Sequence, residues 1–218
     1  IFKFGGVAKH RILSVFNNIP GALSRHDRRF SPGKVKKGTG MRNFESVFEW
    51  LGSAMTVNIA YNATEHNIGL EMSSDHSSLK CYLGDTGLLV SMAFTENELI
   101  GGEIQQRLLT GRIEVNSGML YENLIAQMFP ATGNKLYFYA KSDREDKENR
   151  MEIDFLVAKS LLQRRHNISA VEVKGTGEYA TRSLDKFAKN SCGLLTNLTR
   201  LIALSTLASI LFAILLHS

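Results

Sequence analysis

Two short apolar runs, residues 151–158 and 168–174, most constrain what this chain can fold into. Each run mixes apolar and polar residues over a length typical of a half-buried β-strand. Charged residues interrupt both runs: Asp154 lies in the first, and Glu172 and Lys174 lie in the second. The pattern predicts two neighbouring strands that carry carboxylates into the folded part of the protein.

Strict alternation fixes the side on which these charged residues are expected. Residues two apart in a strand point to the same face of the sheet. Asp154 should therefore point away from its two apolar neighbours, and Glu172 and Lys174 should point away from Val171 and Val173. We expect the polar groups to gather on one face while the other face feeds a hydrophobic core.

A helix is expected before these strands. Apolar residues at positions 120, 124, 125 and 128 recur with the period of a helix, and Glu122 lies among them. A helix followed by strands indicates a mixed α/β chain. With 218 residues, of which 44% are hydrophobic and 22% charged, the chain is long enough for one large or two small domains.

Three carboxylates and a lysine in this order suit metal-dependent phosphodiester chemistry. Mg²⁺ or Mn²⁺ takes oxygen ligands, and one or two protein carboxylates are usually sufficient. Asp154 and Glu172 are the expected metal ligands, with Glu122 as a third ligand or an orienting group. Lys174 would offset negative charge that develops on the phosphate. An Asp or a Glu-Val-Lys taken alone is more typical of the exposed face of a strand, and only the whole set in this order favours the metal site equally.

The positive charge of the chain is concentrated in one segment. Residues 25–42 carry seven basic residues against Asp27 alone, a net charge of +6, whereas the whole chain carries +5. A cluster of this kind attracts phosphate, which makes DNA a candidate partner. The alternative is a solvated loop or a surface that docks onto another domain. The predicted nucleic-acid-binding residues are Arg25, Arg28, Arg29, Lys34, Lys36, Lys37 and Arg42.

The residues after this segment predict a winged-helix-like unit. Phe44, Val47, Phe48 and Leu51 form one apolar helix face, and alternation over 57–61 predicts a strand. Helices followed by a strand and a turn fit a winged helix.

Several short motifs together resemble one known family. The chain is similar over about residues 10–190 to the C-terminal half of prokaryotic AAA-type ATPases that contain domain of unknown function 4143 (DUF4143). The downstream motifs are Tyr-Glu-Asn (121–123), Lys-Leu-Tyr-Phe-Tyr (135–139), Met-Glu-Ile-Asp-Phe-Leu (151–156), Val-Glu-Val-Lys (171–174) and Ser-Leu-Asp-Lys-Phe (183–187). The upstream motifs are Ile-Pro (19–20), Arg-Arg-Phe (28–30), Phe-Glu-Trp-Leu (48–51) and Tyr-Leu-Gly-Asp-Thr-Gly-Leu-Leu (82–89).

The resemblance implies a winged-helix-like N-terminal segment followed by a PD-(D/E)XK nuclease-like mixed sheet with flanking helices. The expected divisions are residues 1–75 for the first, 76–190 for the second, and 191–218 for an atypical apolar tail. The resemblance stops after Phe187, and residues 192–218 are expected to replace the family's final strand.

ATP binding is expected only on sequence outside this chain. No Gly-x4-Gly-Lys-Ser/Thr motif is present, so the loop whose backbone N–H groups cradle phosphates is missing. The chain opens on Ile1, which suggests a piece of a longer protein with an N-terminal ATPase domain. No cofactor-binding residue is therefore predicted here.

Cysteine content and the tail bear on location. Two cysteines are too few for a disulfide scaffold, which fits the cytoplasm. Residues 201–216 carry no charge, but they are shorter than a typical membrane-spanning helix. We expect a buried helix or an altered terminus rather than a membrane anchor.

The sequence leaves two functional classes open. The chain is either the DNA-handling, nuclease-like end of an ATPase, or a catalytically inactive module of the same fold that regulates or docks onto the ATPase domain. A nuclease-like fold does not by itself establish nuclease chemistry.

Overall fold

The computed structural model describes residues 6–65, 69–94, 117–141, 150–158, 168–174, 182–190 and 195–202. The helices are α1 (Gly6–Leu23), α2 (Pro32–Val35), α3 (Glu45–Ser53), α4 (Thr86–Phe94), α5 (Ser117–Ala131) and α6 (Arg182–Asn190), with a 3-10 turn at Met41–Asn43. The strands are β1 (Val57–Ala63), β2 (Ser74–Leu83), β3 (Leu136–Lys141), β4 (Met151–Ala158), β5 (Ile168–Lys174) and β6 (Leu195–Ile202). The predicted mixed α/β class is confirmed.

The strands form one open, six-stranded mixed sheet in the order β2-β1-β3-β4-β5-β6. β1 runs antiparallel to β2 and parallel to β3, β4 runs antiparallel to both β3 and β5, and β5 runs parallel to β6. The predicted boundary between residues 75 and 76 falls inside β2, so the N-terminal and C-terminal parts of the chain share a single sheet. The winged-helix-like arrangement stays a prediction.

The two faces of the sheet carry separate hydrophobic clusters. The larger cluster joins α1, α3 and α5 to one face, where Val171 and Val173 of β5 are buried. The smaller cluster packs Leu184 and Phe187 of α6 against the other face. This division tells which face each strand residue occupies.

An extra residue in β4 breaks the alternation that the sequence predicts. β3 and β4 pair Tyr139 with Ile153 and Tyr137 with Leu156, so one residue of β3 stands opposite two of β4. Such a bulge re-aims side chains. Ile153 lies in the smaller cluster and Phe155 in the larger one. Asp154 points away from Ile153, and thus lies on the same face as Phe155 rather than opposite to it.

The last described strand corrects the expectation that the final strand is missing. Residues 195–202 form β6, which pairs in parallel with β5 from Ile168 to Lys174. Residues 203–218, which include most of the apolar tail, lie outside the described part of the chain. Among the residues that are described, no helix is long and apolar enough to cross a membrane.

Candidate functional site: a buried charge network beside helix α5

Glu122 is completely buried on α5, where its carboxylate meets groups from three other parts of the chain. Its Oε1 forms an ion pair with Arg28, and its Oε2 accepts a hydrogen bond from the Tyr82 hydroxyl at 3.1 Å. The helix therefore places Glu122 among apolar residues, as the sequence predicts. The partners of this carboxylate, Arg28 and Tyr82, come from the N-terminal part of the chain.

The loop after α1 carries Arg28 to Glu122. Phe30 N–H donates to the Leu79 carbonyl at 2.9 Å, and Arg29 forms a β-bridge with Lys80, which lays this loop along the edge of β2. Arg28 adopts a left-handed backbone conformation with φ of 49°. This conformation is uncommon outside glycine and is often associated with function. The Arg28 side chain is mostly buried, at 18% exposure, and reaches Glu122.

Lys80 supplies a second positive charge from β2. Its side chain is fully buried, and its Nζ lies 2.8 Å from Glu152 Oε1 and 3.8 Å from Asp154 Oδ1. The ammonium group also lies 5.1 Å from the centre of the Phe138 ring. Burial alone would lower the pKa of Lys80, but the surrounding carboxylates of Glu122, Asp154 and Glu152 outweigh it and raise this pKa. Lys80 is therefore a charged group at neutral pH.

Asp154 completes what we call the buried charge network, which consists of Arg28, Lys80, Glu122, Glu152 and Asp154. Its Oδ2 accepts a hydrogen bond from Val173 N–H at 2.8 Å. Burial, followed by the negative charge of Asp154, raises the pKa of Glu122 to about 8, although Lys80 and Arg28 act in the opposite direction. Glu122 can therefore hold a proton near neutral pH.

Glu172 and Lys174 do not join this network. Val171 and Val173 of β5 belong to the cluster on the α5 face, so alternation directs Glu172 and Lys174 to the opposite face. There the two side chains pair with each other. The structure does not bring Glu172 to Glu122 and Asp154, although the sequence had predicted it. The bulge in β4 moves Asp154 to the α5 face, whereas β5 keeps its regular alternation.

Two cationic side chains already lie beside the carboxylates of the network. No three Asp, Glu, His or Cys side chains among the described residues are grouped so that they could hold a metal. Lys80 and Arg28 already supply positive charge to the carboxylates of Glu122 and Asp154. A metal ion placed beside Asp154 would be repelled by the Lys80 ammonium at close range.

The basic segment divides into two parts. Arg25, Arg28 and Arg29 are partly buried and turned toward the protein. Arg25 donates to the Arg29 carbonyl at 2.9 Å, and Arg29 lies 3.8 Å from Glu152. These three arginines make internal contacts, and their assignment as nucleic-acid-binding residues stays a prediction. The remaining four predicted residues, Lys34, Lys36, Lys37 and Arg42, are exposed.

Sequence reasoning missed Lys80, Tyr82 and Glu152 as members of the site. Lys80 lies in the otherwise apolar run Leu79-Lys80-Cys81-Tyr82-Leu83, and a single charge inside a buried strand was a usable signal, because lysine is almost never fully buried without partners. Glu152 lies two residues before Asp154 and shares its face. The distance of 94 residues between Arg28 and Glu122 offered no such signal.

Asn123, next to Glu122, fastens α5 to the end of β2. Its side-chain oxygen accepts from Leu83 N–H at 2.8 Å, and its amide donates to the Leu83 carbonyl at 3.1 Å and the Thr86 hydroxyl at 3.0 Å. One turn later, Gln127 accepts from the Thr86 N–H and hydroxyl. Asp85 caps α4, since its Oδ1 accepts from Leu88 N–H at 2.7 Å.

Comparison with known proteins divides the chain into two matched regions. No curated protein and no solved structure shows a significant match. Residues 1–99 match the family model of DUF8612, and residues 117–205 match that of DUF4143, both described as domains of unknown function. The DUF4143 resemblance is thus confirmed for the C-terminal region, where it extends past Phe187 to include β6. Arg28, Lys80 and Tyr82 come from the first matched region, and Glu122, Glu152 and Asp154 from the second.

Proposed function

We propose that this chain is a non-hydrolytic interaction module of an AAA-type ATPase, whose ATP-binding domain lies on sequence outside it. The DUF4143 match over residues 117–205 supports the association with such ATPases. The chain contains no Gly-x4-Gly-Lys-Ser/Thr motif, so in this proposal ATP chemistry belongs to the other domain. The module would contact that domain and regulate it or dock onto it, rather than cleave a substrate.

One observation carries this proposal: positive side chains from the N-terminal region neutralise the carboxylates expected to bind metal. Arg28 pairs with Glu122, and Lys80 lies beside Asp154. A hydrolytic site would need these oxygens free to hold a metal and an attacking water. In the proposed module they instead hold the DUF4143 region against the DUF8612 region.

The hydrogen bonds of α5 support the same role. Asn123 and Gln127 satisfy backbone groups where β2 turns into α4, and both side chains are directed across the division between the matched regions. Buried polar groups that are fully paired rigidify the elements they join. α5 would thus hold the two regions in one fixed arrangement.

Thermal unfolding with and without divalent metal tests the proposal. We expect Mg²⁺ or Mn²⁺ to leave the unfolding temperature of the parent unchanged, because no ligand binds the folded state selectively. Asp154→Asn should be destabilised, because it removes a charge that faces Lys80. Glu172→Gln serves as the matched control on the opposite face. A metal-dependent rise that disappears in Asp154→Asn, together with cleavage of DNA, would establish the nuclease function instead.

DNA binding is a second candidate function, favoured by the exposure of Lys34, Lys36, Lys37 and Arg42. Four exposed cations within nine residues can contact successive phosphates. Binding through phosphate contacts weakens steeply with salt, because counterions are released. A gel-shift titration of duplex DNA at increasing salt concentration tests this candidate. Affinity that does not change with salt would exclude it.

A further inference from the structure

A cavity of about 210 Å³ lies between α3 and the β1–β2 pair. Its apolar lining consists of Met41, Phe48 and Leu79, all buried. The cavity is smaller than those that hold drug-sized ligands. A single side chain or another small group suits it better.

Two carboxylates border this cavity. Glu45 and Glu49 lie four residues apart on α3 and therefore on the same helix face. Both are exposed. Neither pairs with a basic side chain among the ion pairs of the described residues. Like charges at this spacing disfavour a helix, so the pair costs stability unless a cation lies between them.

Two aromatic rings form the opposite wall. The rings of Tyr61 and His76 lie 4.3 Å apart with an angle of 34° between their planes. Burial, followed by the negative charges of Glu49 and Glu45, raises the pKa of Tyr61. The cavity therefore combines negative potential with ring faces, a combination that binds cations.

A bulge in β2 builds this wall. β1 pairs Tyr61 with Leu79 and Asn62 with Asp75, so residues 76–78 of β2 have no partner in β1. Asp75 Oδ1 accepts from the Ser77 N–H at 2.8 Å and from the Ser77 hydroxyl at 2.6 Å, which holds the bulge in shape. Ser74 Oγ lies 3.2 Å from His76 Nε2. Bulges that aim a side chain are common beside binding sites.

We propose that this acidic cavity binds the side chain of an arginine presented by a partner protein. The guanidinium group is planar, so it can stack on Tyr61 or His76 while its N–H groups donate to Glu45 and Glu49. The apolar floor would receive the methylene groups of the same side chain. The inference rests on the proposed function in assigning the arginine to a partner, but the binding itself can be measured independently of it.

N-acetyl-arginine amide is the probe, and its neutral isostere N-acetyl-citrulline amide is the matched ligand control. Binding is followed by NMR chemical shifts of the full chain at about pH 8, where an ordinary histidine is neutral. We expect saturable shifts at Tyr61, His76 and α3 with the arginine derivative. The citrulline derivative should bind at least about tenfold more weakly, a difference of about 1.4 kcal/mol.

Protein variants locate the site. Glu45→Gln combined with Glu49→Gln should weaken arginine binding at least about tenfold, because both acceptors lose their charge. Glu65→Gln combined with Glu71→Gln removes two exposed carboxylates elsewhere and should leave binding unchanged. No saturable shifts in the parent, equal binding of citrulline, or equal loss in both double variants would overturn the inference. Arginine binding would survive a failure of the metal test, so the two outcomes can be told apart.

Discussion

The buried charge network and the exposed basic loop use the same residue types for different purposes. In the network, Arg28 and Lys80 lie against carboxylates inside the protein. In the loop, Lys34, Lys36 and Lys37 face solvent. Removing charges from water is expensive unless they are paired, whereas exposed charges cost little and contribute little. Position in the fold, not residue type, therefore decides whether a basic residue stabilises the structure or is available to a partner.

Replacing Lys80 by Met should have the largest effect on stability. The variant leaves Glu152 and Asp154 without their buried cation, and breaking a buried ion pair from one side costs about 3–5 kcal/mol of unfolding free energy. Lys135→Met is the matched control, since Lys135 pairs with Glu71 on the surface. Urea denaturation of both variants measures the difference. Equal stabilities would show that burial adds nothing to the lysine contact.

Replacing Arg28 by Met should lower the unfolding free energy by a smaller amount, about 1–3 kcal/mol. Glu122 can respond to the loss of its partner by retaining its proton to a higher pH, and the Arg28 side chain is 18% exposed. The cost should grow as the pH rises, because the proton is then harder to retain. Arg42→Met removes an exposed arginine and should leave the unfolding midpoint unchanged. A cost that is the same at every pH would contradict the protonation of Glu122.

The pH dependence of stability tests Glu122 directly. Its pKa rises from 4.5 in the unfolded chain to about 8 in the folded one, so between these values the folded state holds a proton that the unfolded chain has released. Raising the pH through this window should lower the unfolding free energy of the parent, by at most about 1.4 kcal/mol per pH unit. Glu122→Gln cannot titrate and should lack this contribution. Parallel pH profiles of unfolding free energy for the parent and the variant would contradict a raised pKa of Glu122.

Changing the exposed basic residues Lys34, Lys36 and Lys37 should have the smallest effect on stability but the largest effect on DNA binding. Replacing Lys34, Lys36 and Lys37 by Glu should leave the unfolding midpoint unchanged while weakening any DNA binding by at least about tenfold. A control with Lys9, Lys141 and Lys189 changed to Glu alters the net charge equally at exposed sites elsewhere. Equal losses in both variants would indicate that overall charge, rather than the loop, attracts DNA.

The local part of the fold was accessible from the sequence. Periodicity located α5 around Glu122 and the strands β4 and β5, because burial of one face imposes a regular spacing on neighbouring residues. The same local logic explains why Asp85, which lies just before the first residue of α4, caps that helix. It also identified the DUF4143 motifs, whose match covers residues 117–205.

The make-up of the site was decided by tertiary structure. One extra residue in β4 separates Asp154 from Glu172, and the loop after α1 brings Arg28 to Glu122 across 94 positions. Strand periodicity carries no information about where alternation breaks, and the charge of an arginine does not say which carboxylate it will meet. The sequence by itself determined which elements form and which charges they carry, since these depend on near neighbours. Only the packed sheet decided which charges face one another, because that depends on register and on contacts between distant residues.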